Sequence, residues 1–139
     1  MNRDLRSAHI PSVPLSTEAA DHPHVFARAF NSFDPERLDL VYEPEAAFAA
    51  RPGEPVTGCE RVRANAELLA LRIPIRVVPR HCYVSGDIAL HIVDWTIDGT
   101  APDGRETHLA GTATDVARRG ADGYWRYVVD NPFGTACED

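Results

Sequence analysis

Several common signatures are missing from this 139-residue sequence, and each absence closes a class of function. No apolar run approaches the ~20 residues that a membrane-spanning helix needs. The opening stretch "MNRDLRSAHIPSVPLS" carries charge but no apolar core, so no secretory leader is expected and the cytoplasm is the expected compartment. Cysteine is scarce: Cys59, Cys82 and Cys137 are odd in number, far apart and in no CxxC motif. Free thiols in a reducing compartment are expected, not a disulfide framework. Cys82 alternates within an apolar strand and reads as a small core residue. The basic residues are scattered and the net charge is -7, so the basic stripe of a nucleic-acid surface is lacking. The pair Arg118-Arg119 ends a strand and reads as a solvated turn. No glycine-rich fingerprint follows a strand, and "GDIALHIVD" holds no phosphate loop, so no nucleotide cofactor is expected. His22 and His24 in "DHPH" have no third ligand at helical or hairpin spacing. They read as surface positions at a helix start, and no metal is expected. No serine-histidine-aspartate signature surrounds Ser85, which lies in a turn.

What is present suits a globular chain. Hydrophobic residues make up 44% of it, enough to build one core. Residues 1–16 carry Pro11 and Pro14 without periodicity and read as a flexible arm. Residues 17–139 read as a single domain. Val25, Phe26, Ala29 and Phe30 share one helix face, with Pro23 in the first turn and Asp21 as N-cap. Asp34 is placed to cap a second short helix running to about Tyr42. "EAAFAA" reads as a strand and "RPGEPVTG" as a loop. "CERVRANAELLALR" reads as a helix with Val62, Ala66 and Leu69 on its apolar face, ended by Pro74. Four strands follow: "IRVVPRHCYVSG", "DIALHIVDWTIDG", "RETHLAGTATDVARR" and "YWRYVVDN". Turn sequences separate them. Helices first and an antiparallel meander second define an α+β fold.

Several stretches resemble the nuclear transport factor 2-like superfamily, which includes ketosteroid isomerases and SnoaL-like polyketide cyclases. They are "FARAFNSFDPERLDLVYEPEAAF", "GCERVRANAELL", "VDWTIDGT" and "DGYWRYVVDNPFGTA". The last two are similar to a bacterial subgroup, some of whose members lie near natural-product pathways. The resemblance covers residues 17–136. It implies a cone-shaped α+β barrel in which a curved sheet wraps the helices around a cavity, and a homodimer formed through the outer sheet face. It also implies places for the isomerase groups: the base at about Ala50, the tyrosine at about Phe26 and the protonated aspartate at about Ala113 or Thr114. None of these residues carries the required chemistry.

Strand parity then sorts the late strands into two faces. If Ile97 pairs with Glu106 across "GTAPDG", the inner face carries His91, Val93, Trp95, Ile97, Glu106, His108, Ala110, Thr112 and Thr114. If Arg118 pairs with Trp125, then Tyr127, Val129 and Asn131 join it. The outer face carries Leu90, Ile92, Asp94, Thr96, Leu109, Ala113, Asp115, Arg126, Val128 and Asp130. Asp130 turns inward only if the strand bends before Pro132, and a one-residue bulge would flip part of the assignment.

His108 and His91 are candidate proton shuttles, because an unperturbed imidazole titrates near ~6.5. Against that stands the more frequent case of a core histidine bonded to backbone, slightly more so for His91. Asp130 completes the catalytic set. Trp95, Tyr42, Thr112, Asn131, Phe26 and Tyr127 form the expected ligand-lining set, against the plainer roles of core packing and strand formation. The expected function is the binding of a small hydrophobic molecule, without metal or cofactor. Either SnoaL-like acid–base chemistry follows, or the chain is a non-catalytic binding or dimerisation module.

Overall fold

The computed structural model describes residues 12–137. A 3-10 turn, Ala19–Asp21, leads directly into helix α1, His22–Asn31. Pro23 sits in the first turn of α1, where the N–H it lacks would have had no helical partner. Asp21 holds the N-cap position but its carboxylate accepts from the Ser16 hydroxyl at 2.9 Å instead of capping. Helix α2 is Pro35–Asp39, shorter than the sequence suggested. Its N-cap Asp34 accepts from the Glu36 amide at 2.9 Å. Helix α3 is Gly58–Leu69. It ends before Pro74, because Arg72 turns into a left-handed conformation (φ 56°) with its guanidinium over the Phe33 ring.

The strands are β1 Tyr42–Arg51, β2 Glu54–Val56, β3 Ile75–Ser85, β4 Ile88–Thr100, β5 Glu106–Arg119 and β6 Trp125–Asp130. The segment read as a loop at 51–58 contains β2, and β1 extends the expected strand at both ends, so that Tyr42 opens it. The six strands form one curved, unclosed mixed sheet in the order β2-β1-β6-β5-β4-β3. Only β1 and β6 run parallel. The long β3-β4-β5 hairpins follow from runs of β-branched and aromatic residues broken by short turns. Pro79 is tolerated because β3 is an edge strand and its register shifts at that proline.

The helices pack on the concave face of the sheet. Val25, Ala29 and Phe30 of α1, Leu69 of α3, and Ile75, Ala89, Ile97, Ala117 and Tyr127 of the sheet make the core. The expected flexible arm lies largely outside the described residues. Of the part described, Val13 and Leu15 pack on the core, and Ser16 accepts a backbone hydrogen bond from Trp125 at 3.1 Å.

Two registers differ from the parity expectation. Ile97 pairs with Leu109, not Glu106, because β4 runs on through Gly99 and Thr100 and the turn is confined to residues 101–105. That is a shift of three residues. An odd shift reverses every side chain on the strand. His108, Ala110, Thr112 and Thr114 therefore face outward, while Leu109, Ala113 and Asp115 face inward. In the last hairpin, Tyr127 pairs with Ala117 but Val129 pairs with Val116. The extra residue is a bulge at Val128-Val129, and beyond it the alternation is reversed. Val129 is exposed and Asp130 is buried.

Candidate active site

Between the concave face of the sheet and helices α1 and α3 lies a pocket of about 590 Å³. Its walls are mostly apolar, and six aromatic side chains contribute: Phe26, Phe30, Phe48, Trp95, Tyr127 and Phe133. Trp95 is held rigidly. Its indole N–H donates to the Pro132 carbonyl at 2.8 Å. It lies over Gly111, where an added Cβ would stand 3.1 Å from the indole and 3.0 Å from the Pro132 oxygen. The lining also includes a polar patch formed by Asp115 and Asp130.

This patch is assembled from four elements. The β6 bulge turns Asp130 inward, and the β4-β5 register turns Asp115 toward it. The two carboxyl groups share a hydrogen bond. Tyr42, first residue of β1, donates its hydroxyl proton to Asp130 Oδ2. Asn65 of α3 donates to the Tyr42 oxygen at 3.2 Å. The backbone N–H of Asn131 donates to Asp115 Oδ1 at 2.8 Å. Arg61, one turn before Asn65, is buried with its guanidinium 4.5 Å from the Tyr42 ring centroid, and it donates to Asp39 at 2.9 Å. The buried face of α3 is thus Arg61, Asn65 and Leu69, not the expected Val62, Ala66 and Leu69.

Electrostatics fixes the protonation of the pair. Two bare carboxylates about 3 Å apart would repel by about 5 kcal/mol at an effective dielectric constant of ~20, far above thermal energy. Burial, then the charge of Asp130, pushes the Asp115 carboxyl well above the usual carboxylate range. Burial also raises Asp130, but the hydrogen bonds from Tyr42 and Asp115 hold it lower. Asp115 therefore keeps the shared proton and Asp130 is the member that ionises. Burial, reinforced by the charge of Asp130, raises the Tyr42 phenol, which stays a donor.

The other expected site residues lie as follows. Phe26, Trp95 and Tyr127 line the pocket with Asp130. Tyr42 is buried behind it. His108 does not approach the pocket: it is exposed near the β4-β5 turn and pairs with Asp98, because the hairpin register turns it outward. Thr112 faces outward for the same reason, and its hydroxyl donates to Asp94 at 2.7 Å. Asn131 closes the corner after β6 instead of lining the pocket. Its amide donates to Thr114 Oγ1 and to the Gly134 carbonyl, both at 2.9 Å. His91 faces inward but lies deep in the core, in edge contact with Tyr127 at 6.0 Å. His22, expected at the surface, is fully buried, with Nε2 3.1 Å from the Val41 carbonyl oxygen. Burial lowers the His22 pKa to about 3 and the His91 pKa to about 4. Asp115, Asn65 and Arg61 were not among the expected site residues. Asp115 was accessible in principle, two residues from Ala113 along the strand, at the place where the resemblance put a protonated aspartate. Among the described residues, no group of three or more His, Cys, Asp or Glu is arranged to hold a metal ion. No helix among them is long and apolar enough to cross a membrane.

The fold is an α+β cone, with the pocket bordered by its sheet and helices. The SnoaL-like domain profile matches residues 24–128, and the chain belongs to that family, within the nuclear transport factor 2-like superfamily. No curated protein matches it in sequence. Among solved structures it is similar to a conserved protein from Planctomyces limnophilus, with 21% identity over 78% of this chain and 87% of that one, and a TM-score of 0.69. A nuclear transport factor 2-like superfamily protein from Salmonella enterica has 18% identity, coverage of 86% and 90%, and a TM-score of 0.68. A ketosteroid isomerase-like protein from Erwinia carotovora has 17% identity, coverage of 81% and 89%, and a TM-score of 0.64. At these identities the likeness is one of fold.

Proposed function

We propose that this chain is an acid–base enzyme of the SnoaL-like kind, acting on a hydrophobic small molecule such as a natural-product intermediate. The chemistry would be an isomerisation, cyclisation or elimination that needs only proton transfer. One observation carries the reading: two hydrogen-bonded carboxyl groups, Asp115 and Asp130, in a pocket walled by aromatic rings. Asp130, the ionising member, takes the proton from substrate. The hydrogen bonds from Tyr42 and Asp115 stabilise the charge Asp130 carries before the transfer and favour return of the proton afterwards. General acid–base assistance of this kind contributes roughly 10²–10⁴-fold. The chain contains no lysine, so a Schiff-base route through a lysine amine is closed. The proton-transfer role rests with Asp130, supported by Asp115, and His108 is remote from it. His91 is too deep to reach substrate.

The test is solvent deuterium wash-in. A panel of hydrophobic ketones and hydroxy-ketones is incubated in D₂O with the wild type and with Asp130→Asn. Wild-type-catalysed exchange that falls by about 10²-fold or more in the variant is expected. Equal exchange by the two proteins would refute the role of Asp130.

A second reading, a binding module without turnover, is favoured by one observation. Ala50, Phe26 and Ala113 line the pocket where the resemblance places the three isomerase groups. Ligand binding without exchange for any compound would decide for it. We further infer a homodimer through the outer sheet face. Tyr83, Leu90, Val116 and Val129 form one row across four strands there, three of them exposed. Sedimentation velocity with Leu90→Arg as the disrupting variant checks this. The free thiols Cys59, Cys82 and Cys137 fit work in the cytoplasm.

A further inference from the structure

The pocket carries an imbalance that points to a class of ligand. Four carboxyl groups border it, from Glu54, Glu67, Asp115 and Asp130, against one guanidinium, that of Arg51, which pairs with Glu54. Arg61 is the cation whose charge Asp130 feels, yet it donates its hydrogen bond to Asp39 and lays its face on Tyr42. The negative charge of the Asp115–Asp130 pair therefore meets hydrogen-bond donors but no ion-pair partner among the contacts just described. Aromatic rings line the same pocket, and a ring face attracts a cation more strongly than a neutral polar group. An anionic ligand would bring like charge to the Asp115–Asp130 pair, in a pocket bordered by four carboxyl groups. A neutral ligand would leave the negative charge as it is. A ligand with an apolar body and an ammonium group would satisfy both the carboxylate and the rings.

From this we propose that the pocket selects a lipophilic amine, bound with its ammonium on the Asp115–Asp130 carboxyl pair and its apolar body against Trp95 and Phe133. The proposal rests on the pocket being a small-molecule site, and names the class of molecule.

The experiment uses three isosteric probes measured by calorimetry on the intact protein: 2-naphthylmethylamine, 2-naphthylmethanol and 2-naphthoate. The amine is expected to bind about tenfold or more tighter than the alcohol, as a charge-assisted hydrogen bond exceeds a neutral one. The carboxylate is expected to bind more weakly than the alcohol. In the double variant Asp115→Asn/Asp130→Asn the preference for amine over alcohol should disappear while alcohol binding persists, which also shows that the variant is folded. If alcohol and amine bind equally to the wild type, or the carboxylate binds best, the amine proposal is overturned and the small-molecule reading stands. If none of the three binds, the small-molecule reading fails and the proposal fails with it.

Discussion

The two buried histidines give the fold a measurable acid limb. His22 and His91 are neutral in the folded protein, with pKa values lowered to about 3 and about 4 from 6.5. Between those values the unfolded chain binds protons that the folded chain refuses. A histidine depressed in this way supports the fold fully above pH 6.5, and that support is lost as pH falls toward the folded value. Each imidazole should cost roughly 2–3 kcal/mol of stability between pH 7.5 and pH 4.5, and the two together roughly twice that. That is a large share of the ~5–15 kcal/mol that holds a domain folded. The Asp115–Asp130 pair has the opposite sign, since its raised pKa values favour the folded state as pH falls toward 3.8. The perturbation that isolates a histidine is His91→Phe, which keeps an aromatic ring beside Tyr127 and removes the titration. Urea unfolding of both proteins at pH 7.5 and pH 4.5 gives two differences, and any constant repacking cost cancels within each. The variant should lose roughly 2–3 kcal/mol less than the wild type over this interval. Identical losses would refute the claim that His91 is held neutral by burial.

Three further outcomes follow from the geometry. Asp115→Asn keeps the acceptor for the Asn131 amide and offers a permanent N–H to Asp130, so the variant should lose less stability than the wild type in urea unfolding as pH rises above the ordinary carboxylate range. Gly134→Ala places a side chain at φ 60° with its Cβ 2.4 Å from the Thr112 carbonyl oxygen; a loss of about 2 kcal/mol or more is expected in urea unfolding, since the left-handed conformation alone costs about 1–2 kcal/mol. Gly111→Ala should dislodge the Trp95 indole from Pro132, seen as a changed tryptophan emission spectrum and weakened naphthyl-probe binding, with the overall far-ultraviolet dichroism unchanged.

The order of elements and the bounds of β3 to β6 were legible within a residue or two. Runs of β-branched residues broken by "SGD" and "GADG" are local signals, and local signals survive in a sequence. The site was less legible, because it depends on register. The β4-β5 pairing hangs on whether Gly99 and Thr100 belong to the turn or the strand. That three-residue difference moves Asp115 from the outer face to the pocket and His108 from the pocket to solvent. Asp130 depends on a single bulged residue in β6. Arg61 and Asn65 were hidden for a different reason: periodicity assigns polar residues to the solvent side of a helix, and here the polar pair of α3 is buried, with Arg61 donating to Asp39 and Asn65 to Tyr42. The Asp130-Asn131-Pro132 corner split as its register requires, with Asp130 in the pocket and Asn131 bonding the turn to Thr114.

The central claim is that Asp115 and Asp130 share one proton in the pocket. Carbon-13 NMR of aspartate-labelled protein, with Asp115→Asn and Asp130→Asn used to assign the two carboxyl resonances, measures it directly across a pH titration. The account predicts that one of the two carboxyls stays protonated well above the ordinary carboxylate range, and that the two resonances move together in coupled steps. Two independent transitions near the ordinary value of about 3.9 would contradict it.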